Sequence, residues 1–329
     1  MRPGGTLTLL LLLLNVSFIL AAGNRFVPII LIHGINNVPR DWDIFTATIK
    51  AARPSLSTGR LIELHSPFDG VPGSWVALND QVSWFARQIR FLIEVSPKEF
   101  KDGFDLVCHS QGAVICRSLI QDADDLRVRS FVSLAGPQMG VYGEGFLPPK
   151  LFPPELRSFT VQNAWEIAYQ KWAQIALSPA NLWHDPYHET EFLERNVFLP
   201  PSLGLVGTEA ERTRRKNNFL RLDKAVFLVG NFSHTTYELG IDPWVSGIFG
   251  YYDKKGKIKE VWDQSFFIED TFGLRTLHET GRLVLKAVPD VLHDDWIYDH
   301  YVIRHHVLPY LTPSKVMSEE YPEVQVTKS

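Results

Sequence analysis

The sequence predicts an α/β protein built on a mostly parallel, doubly wound sheet. Two observations predict it. Short continuous apolar runs, the pattern of strands buried on both faces, alternate with stretches whose apolar residues recur every three or four positions. Several of these runs end on a small or polar pair, such as His33-Gly34 and Ala135-Gly136, where a parallel strand leaves the sheet for its crossover.

The elements follow in order. The run from Val27 to Ile32 reads as a first buried strand, and Leu61 to Leu64 as a second. From Leu78 to Val95, residues Leu78, Val82, Phe85, Ile89, Leu92 and Ile93 share one helical face. Phe104 to Cys108 is the next strand, Gln111 to about Ala123 a helix, and Val128 to Leu134 a further strand. The alternation then breaks. Over residues 137–218 proline pairs appear at Pro148-Pro149, Pro153-Pro154 and Pro200-Pro201. One helix is expected there, with Trp165, Ala168, Tyr169, Trp172, Ile175 and Ala176 on a shared face. This stretch reads as an inserted cap. Strands resume at Ala225–Val229 and Leu283–Val288, with helices expected near residues 268–277 and 295–307. Residues 312–329 are polar and read as a loose tail.

The chain has 329 residues, enough for one large core plus an insertion. Its net charge of −4 is spread along the chain and argues against a nucleic-acid partner, which calls for a basic face. The one basic cluster, Arg212, Arg214, Arg215 and Lys216, reads as a solvated loop. At the N-terminus, Met1-Arg2, an apolar stretch from Leu7 to Leu20 and Ala21-Ala22-Gly23 form a secretory signal peptide over residues 1–23, leaving 24–329 as one domain. Asn15 and Ser17 interrupt that stretch, which is short for a span, and no other segment is apolar enough to cross a bilayer. In a secretory context Asn231-Phe232-Ser233 is a glycosylation sequon.

The chemistry centres on Cys108-His109-Ser110-Gln111-Gly112, at the junction of an expected strand and an expected helix. A strained turn there lifts a serine hydroxyl clear of the sheet at a helix N-terminus, whose amides favour developing negative charge. The G-x-S-x-G pattern has Cys108 in place of its first glycine; a small residue suffices where two backbones approach closely. This junction, with the parallel sheet, is the arrangement of the α/β-hydrolase fold, whose cap lies between the sixth and seventh strands. Serine needs a base, and in this fold the partners follow in the order serine, acid, histidine. His293, just after the last expected strand, is the candidate base. Glu238 and Asp242, after the strand ending near Gly230, are the candidate acids, and spacing alone does not choose between them. The amides of Gln111 and Ile35 are the expected oxyanion donors. His109 is expected to point away from the serine. Cys108 and Cys116 flank Ser110 where strand and helix run back beside each other, so an oxidising compartment would close them into a disulfide. His184 and His188 are not at helical ligand spacing, since Pro186 lies between them, and no metal or cofactor is expected.

These residues give the chain a resemblance to the palmitoyl-protein thioesterases, over about residues 26–311. It is carried by Ile32-His33-Gly34, the Cys108–Gly112 turn with Cys116, Ser133 to Gly143 with Pro137-Gln138-Met139-Gly140, Trp183-His184-Asp185-Pro186, and Phe249-Gly250-Tyr251-Tyr252-Asp253. The resemblance implies a Ser-Asp-His triad. Ser110 and His293 match it, while the family's aspartate falls on Glu238, with Asp242 as the alternative acid. It also implies a disulfide between Cys108 and Cys116, and hydrolysis of long-chain acyl thioesters, including acyl-CoA, in the lysosome; secretion is the alternative destination. Two competing functions are an oxygen-ester lipase or esterase with the same machinery and a non-catalytic lipid-binding protein of this fold. The intact serine and histidine weigh against the last.

Overall fold

In the computed structural model the described residues are 27–52, 61–67, 71–143, 154–231 and 243–311. The main sheet has six strands: β1 (Ile29–Ile32), β2 (Leu61–Glu63), β3 (Phe104–His109), β4 (Val128–Leu134), β5 (Lys224–Asn231) and β8 (Leu283–Pro289), in the spatial order β2-β1-β3-β4-β5-β8. Every pairing is parallel. The order reverses between β1 and β3, so their crossovers leave in opposite directions and open a crevice at their carboxyl ends.

Period-two alternation sorts the strand residues into two cores. Ile30, Ile32, Leu106, Cys108, Phe131 and Phe227 face one side, where helices α2 (Leu78–Val95) and α3 (Gln111–Asp122) cover them. Ile29, Leu31, Val107, Val132, Val226 and Leu228 face the other, against Trp42, Phe45 and Ile49 of the α1 region (Asp43–Ala52) and Trp296 and Ile297 of α12 (Asp295–Tyr298). The helix expected over 78–95 has those bounds, and its face buries Leu78, Val82, Phe85 and Ile89.

The insertion lies between β4 and β5, the fourth and fifth strands of the described sheet and not the sixth and seventh expected, since the described sheet holds six strands. It contains α4 (Pro154–Ala168), α5 (Lys171–Ala176), α6 (Ser178–Leu182), α7 (Glu189–Arg195) and α8 (Glu209–Phe219). The expected continuous helix breaks at Gln170, whose ψ of 141° is extended. The break resets the register: Ala168, Tyr169 and Ala173 are buried, whereas Trp172 and Ile175 are exposed. The basic cluster is likewise no loop. It lies on α8, opened by a capping box of Thr208 and Glu211, and the helix packs along α3. Arg215 reaches Asp122 (2.7 Å), Arg214 reaches Asp124 (3.0 Å) and Lys216 reaches Asp270 (2.8 Å).

A short helix α9 (Pro243–Gly247) and the hairpin β6 (Tyr251–Tyr252) and β7 (Ile258–Lys259) follow β5. The helix expected near 268–277 is split into α10 (Ser265–Ile268) and α11 (Leu274–Glu279), since Asp270 and Gly273 hold positive φ between them. The helix expected over 295–307 also breaks. Asp299 caps a new start by accepting from the amides of Tyr301 and Val302 (2.7 and 3.0 Å). The expected signal peptide over residues 1–23 and the expected tail over 312–329 lie outside the described residues.

Candidate active site

Ser110 sits between β3 and α3 with φ 54° and ψ −128°, a left-handed conformation that costs a non-glycine residue energy and persists only when its surroundings impose it. They do so here. The Ser110 amide donates to the Leu134 carbonyl of the neighbouring strand (2.9 Å). A Cβ on Gly112 would strike the carbonyl oxygens of Ile32 (2.6 Å) and His33, so only glycine lets the first turn of α3 lie against the end of β1. Cys108 and Cys116 form a disulfide across the turn, with Cα atoms 6.7 Å apart, joining strand to helix.

The loop after β1 comes up against the serine. A Cβ on Gly34 would lie 2.7 Å from the Ser110 Cβ and 3.3 Å from its Oγ, so the backbone carrying Ile35 abuts the hydroxyl. Gln111, as the first residue of α3, presents its amide at the helix N-terminus. Two residues that the sequence reading missed hold this loop. The Ser74 Oγ accepts from the Asn36 amide (2.9 Å). The Ser74 carbonyl accepts from Gln81 Nε2 (3.0 Å), Gln111 Nε2 (2.7 Å) and Ser178 Oγ (3.0 Å). The Trp75 indole donates to the Asn36 side chain (2.7 Å). No local motif marks Ser74, because its partners are 7 to 104 positions away.

His293 follows β8 on a loop that needs the small Gly230 of β5 beneath it, since a Cβ there would collide with the Val291 carbonyl. Its Nε2 lies 2.9 Å from Ser110 Oγ, although 183 residues separate the two. Burial lowers the His293 pKa, opposed by the nearby Asp294 carboxylate. His33 is shifted the same way by burial, and its Nδ1 donates to the Gly34 carbonyl (2.9 Å). His109 does not face the serine hydroxyl; its Nε2 is 2.8 Å from the His293 carbonyl oxygen.

Glu238 and Asp242 lie outside the described residues, as do Phe232 and Ser233 of the sequon. In the insertion, His184 Nε2 meets Glu189 (3.0 Å) and its Nδ1 meets the Met139 carbonyl (2.7 Å), while its ring is stacked between Phe192 and Tyr251. His188 Nδ1 meets Asp185 (3.0 Å). These two rings thus serve the packing of the insertion. Among the described residues one metal-type group forms: His109, His293 and Asp294, with ligand atoms within 4.8 Å of one another. Protein partners already occupy Nε2 of both histidines.

A serine on a strained strand-to-helix turn, with a histidine delivered to it from beyond the last strand of a parallel sheet, defines a protein of the α/β-hydrolase class. The comparisons place it within that class. The family model described as palmitoyl protein thioesterase matches residues 28–293. Lysosomal thioesterase PPT2 of Rattus norvegicus is 32% identical over 272 residues, covering 82% of this chain and 82% of that protein. The PPT2 homolog of Drosophila melanogaster is 29% identical over 288 residues (86% and 91%), and palmitoyl-protein thioesterase 3 of Dictyostelium discoideum 27% over 311 (93% and 98%). The chain belongs to the palmitoyl protein thioesterase family and is a thioester hydrolase.

Proposed function

We propose that the chain hydrolyses long-chain fatty acyl thioesters, of the palmitoyl-CoA or S-palmitoyl kind, through an acyl-enzyme on Ser110. The observation that carries the reading is the 2.9 Å approach of His293 Nε2 to Ser110 Oγ on the strained turn. His293 takes the hydroxyl proton as Oγ attacks the thioester carbonyl. The amides of Gln111 and Ile35 receive the oxyanion. Collapse of the intermediate breaks the carbon–sulfur bond, the thiol leaves with the proton from His293, and the acyl group remains on Ser110. Water, deprotonated by His293, then releases the fatty acid and restores the serine. Glu238 orients His293 as the triad acid, with Asp242 as the alternative. The disulfide and the names of the relatives support a lysosomal setting reached through the secretory pathway, with the glycan on Asn231.

The test is palmitoyl-CoA hydrolysis by the purified protein, set against a matched oxygen ester. Ser110→Ala should lower kcat by at least about 10³-fold, and Glu238→Ala should cost far more than Asp242→Ala. No turnover of either ester by the folded wild type would sink the reading; preference for the oxygen ester would redirect it to an esterase. A base must be neutral to work, and burial lowers the pKa of His293. The acid limb of kcat/KM should therefore reach its half-maximum below pH 6.5. A midpoint above that value would assign the limb to another group.

A further inference from the structure

His109 is the last residue of β3, next to the nucleophile, and only 1% of its surface is exposed. Strand alternation puts Cys108 on the side of α2 and α3, and His109 on the other side with Val107, towards the loop and helix that follow β8. There its Nε2 stands 2.8 Å from the His293 carbonyl oxygen. A carbonyl oxygen has lone pairs and no proton, so the hydrogen must be on Nε2. The tautomer is thereby fixed, and Nδ1, which has no hydrogen-bond partner among the described residues, carries a bare lone pair. The two rings lie 4.9 Å apart at 49°.

We propose that His109 is the positioning residue of the general base: its neutral ring donates through Nε2 to the His293 carbonyl and fixes the loop that holds His293 over Ser110. The inference rests on the reading of His293 as the base. His109 touches no reacting atom and acts only through His293. Among the described residues, the charged and titratable groups around it are His293, Asp294, Asp41 and His33. Burial, with the neighbouring His293 ring adding to it, holds its own pKa down at about 3. It thus brings no second positive charge beside the imidazolium that forms on His293 during attack. The arrangement explains why a histidine can be buried here with one nitrogen unpaired: the other nitrogen is committed to the backbone of the base.

The experiment compares His109→Leu, which keeps bulk and loses the donor, with His109→Gln, whose amide nitrogen can reach the same carbonyl. Rates on palmitoyl-CoA are expressed per serine titrated by a fluorophosphonate. His109→Leu should lower kcat by about 10- to 100-fold with KM within about twofold, and His109→Gln should recover to within about fivefold of wild type. Equal activity in wild type and His109→Leu, or a Gln variant as impaired as the Leu variant, would overturn the proposal. Nitrogen-15 NMR of the wild-type histidines decides the matter if neither variant folds: a neutral Nε2–H tautomer at pH 5 supports it, and an Nδ1–H tautomer or an imidazolium refutes it. Should the wild type not turn over thioester at all, the thioesterase reading falls. The positioning role is then read from the fluorophosphonate labelling rate of Ser110, expected in the same order of variants.

Discussion

At the scale of single residues, Ser74 shows how much of a site can hang on an inconspicuous side chain. One hydroxyl holds the Asn36 amide, and one carbonyl gathers donors from α2, from the residue after the nucleophile, and from α6. Ser74→Ala leaves the carbonyl in place and strips Asn36 of its acceptor. We expect a loss of about 1 kcal/mol in unfolding free energy and a drop of about tenfold in thioester kcat, because the backbone around Ile35 loses its anchor. Full activity in that variant would show that the loop needs no such support. Ser110 and His293 were legible in the sequence because local context marks them: a strand–turn–helix junction for one, the position after the last apolar run for the other. Ser74 and His109 were not. Their roles rest on bonds to residues 37 and 184 positions away, which no periodicity reports.

At the scale of elements, periodicity served where one environment persists along the whole segment. The helix over 78–95 was readable because a single face stays buried from Leu78 to Ile89. The insertion was harder to read, since α5, α6 and α7 are only five to seven residues long. An extended residue at Gln170 then overturns any assignment of faces made across it. The basic cluster misled for a related reason: the acidic partners of Arg214 and Arg215, on and after α3, lie about 90 positions earlier. The disulfide joins two elements directly, β3 and α3, around a turn that the backbone does not favour by itself. Replacing both cysteines by alanine should lower stability by about 2–3 kcal/mol, seen as a fall in the denaturant midpoint. Dithiothreitol should bring the wild type down to the stability of that variant. A wild type indifferent to reductant would mean the bond contributes nothing to the fold.

For the whole molecule, pH is the variable that separates the buried groups. Asp105 lies at the start of β3, accepting from the Ser130 amide (3.0 Å), and burial raises its pKa to about 6, against the pull of Arg129. A carboxyl raised in the folded state makes the native protein less stable above that value and relieves the cost as pH falls through 6 towards 3.8. Asp105→Asn keeps an acceptor for Ser130 and removes the charge. It should raise stability at pH 7.5 by up to about 3 kcal/mol, with the gain gone near pH 4. The buried histidines act in the opposite direction. His109, lowered to about 3, costs stability as pH falls below 6.5, because the unfolded chain takes up the proton first. Chemical denaturation of both proteins across pH 4–8 reads the two slopes, and an Asp105→Asn gain independent of pH would refute the assignment.

The described part of the insertion is fastened to the body at several places. Ser178 donates to Ser74, the Leu78 amide donates to Asn181, and Gln121 and Arg117 of α3 donate to the carbonyl and hydroxyl of Ser202. A lipase lid that swings aside on meeting a lipid–water boundary would have to release such bonds together, in a setting from which water is excluded. The described part of the insertion is tied down, so the enzyme should take its substrate from solution and need no interface to awaken it. Turnover of a medium-chain acyl-CoA should climb smoothly through its critical micelle concentration. An abrupt rise at that concentration would mean that those bonds give way after all.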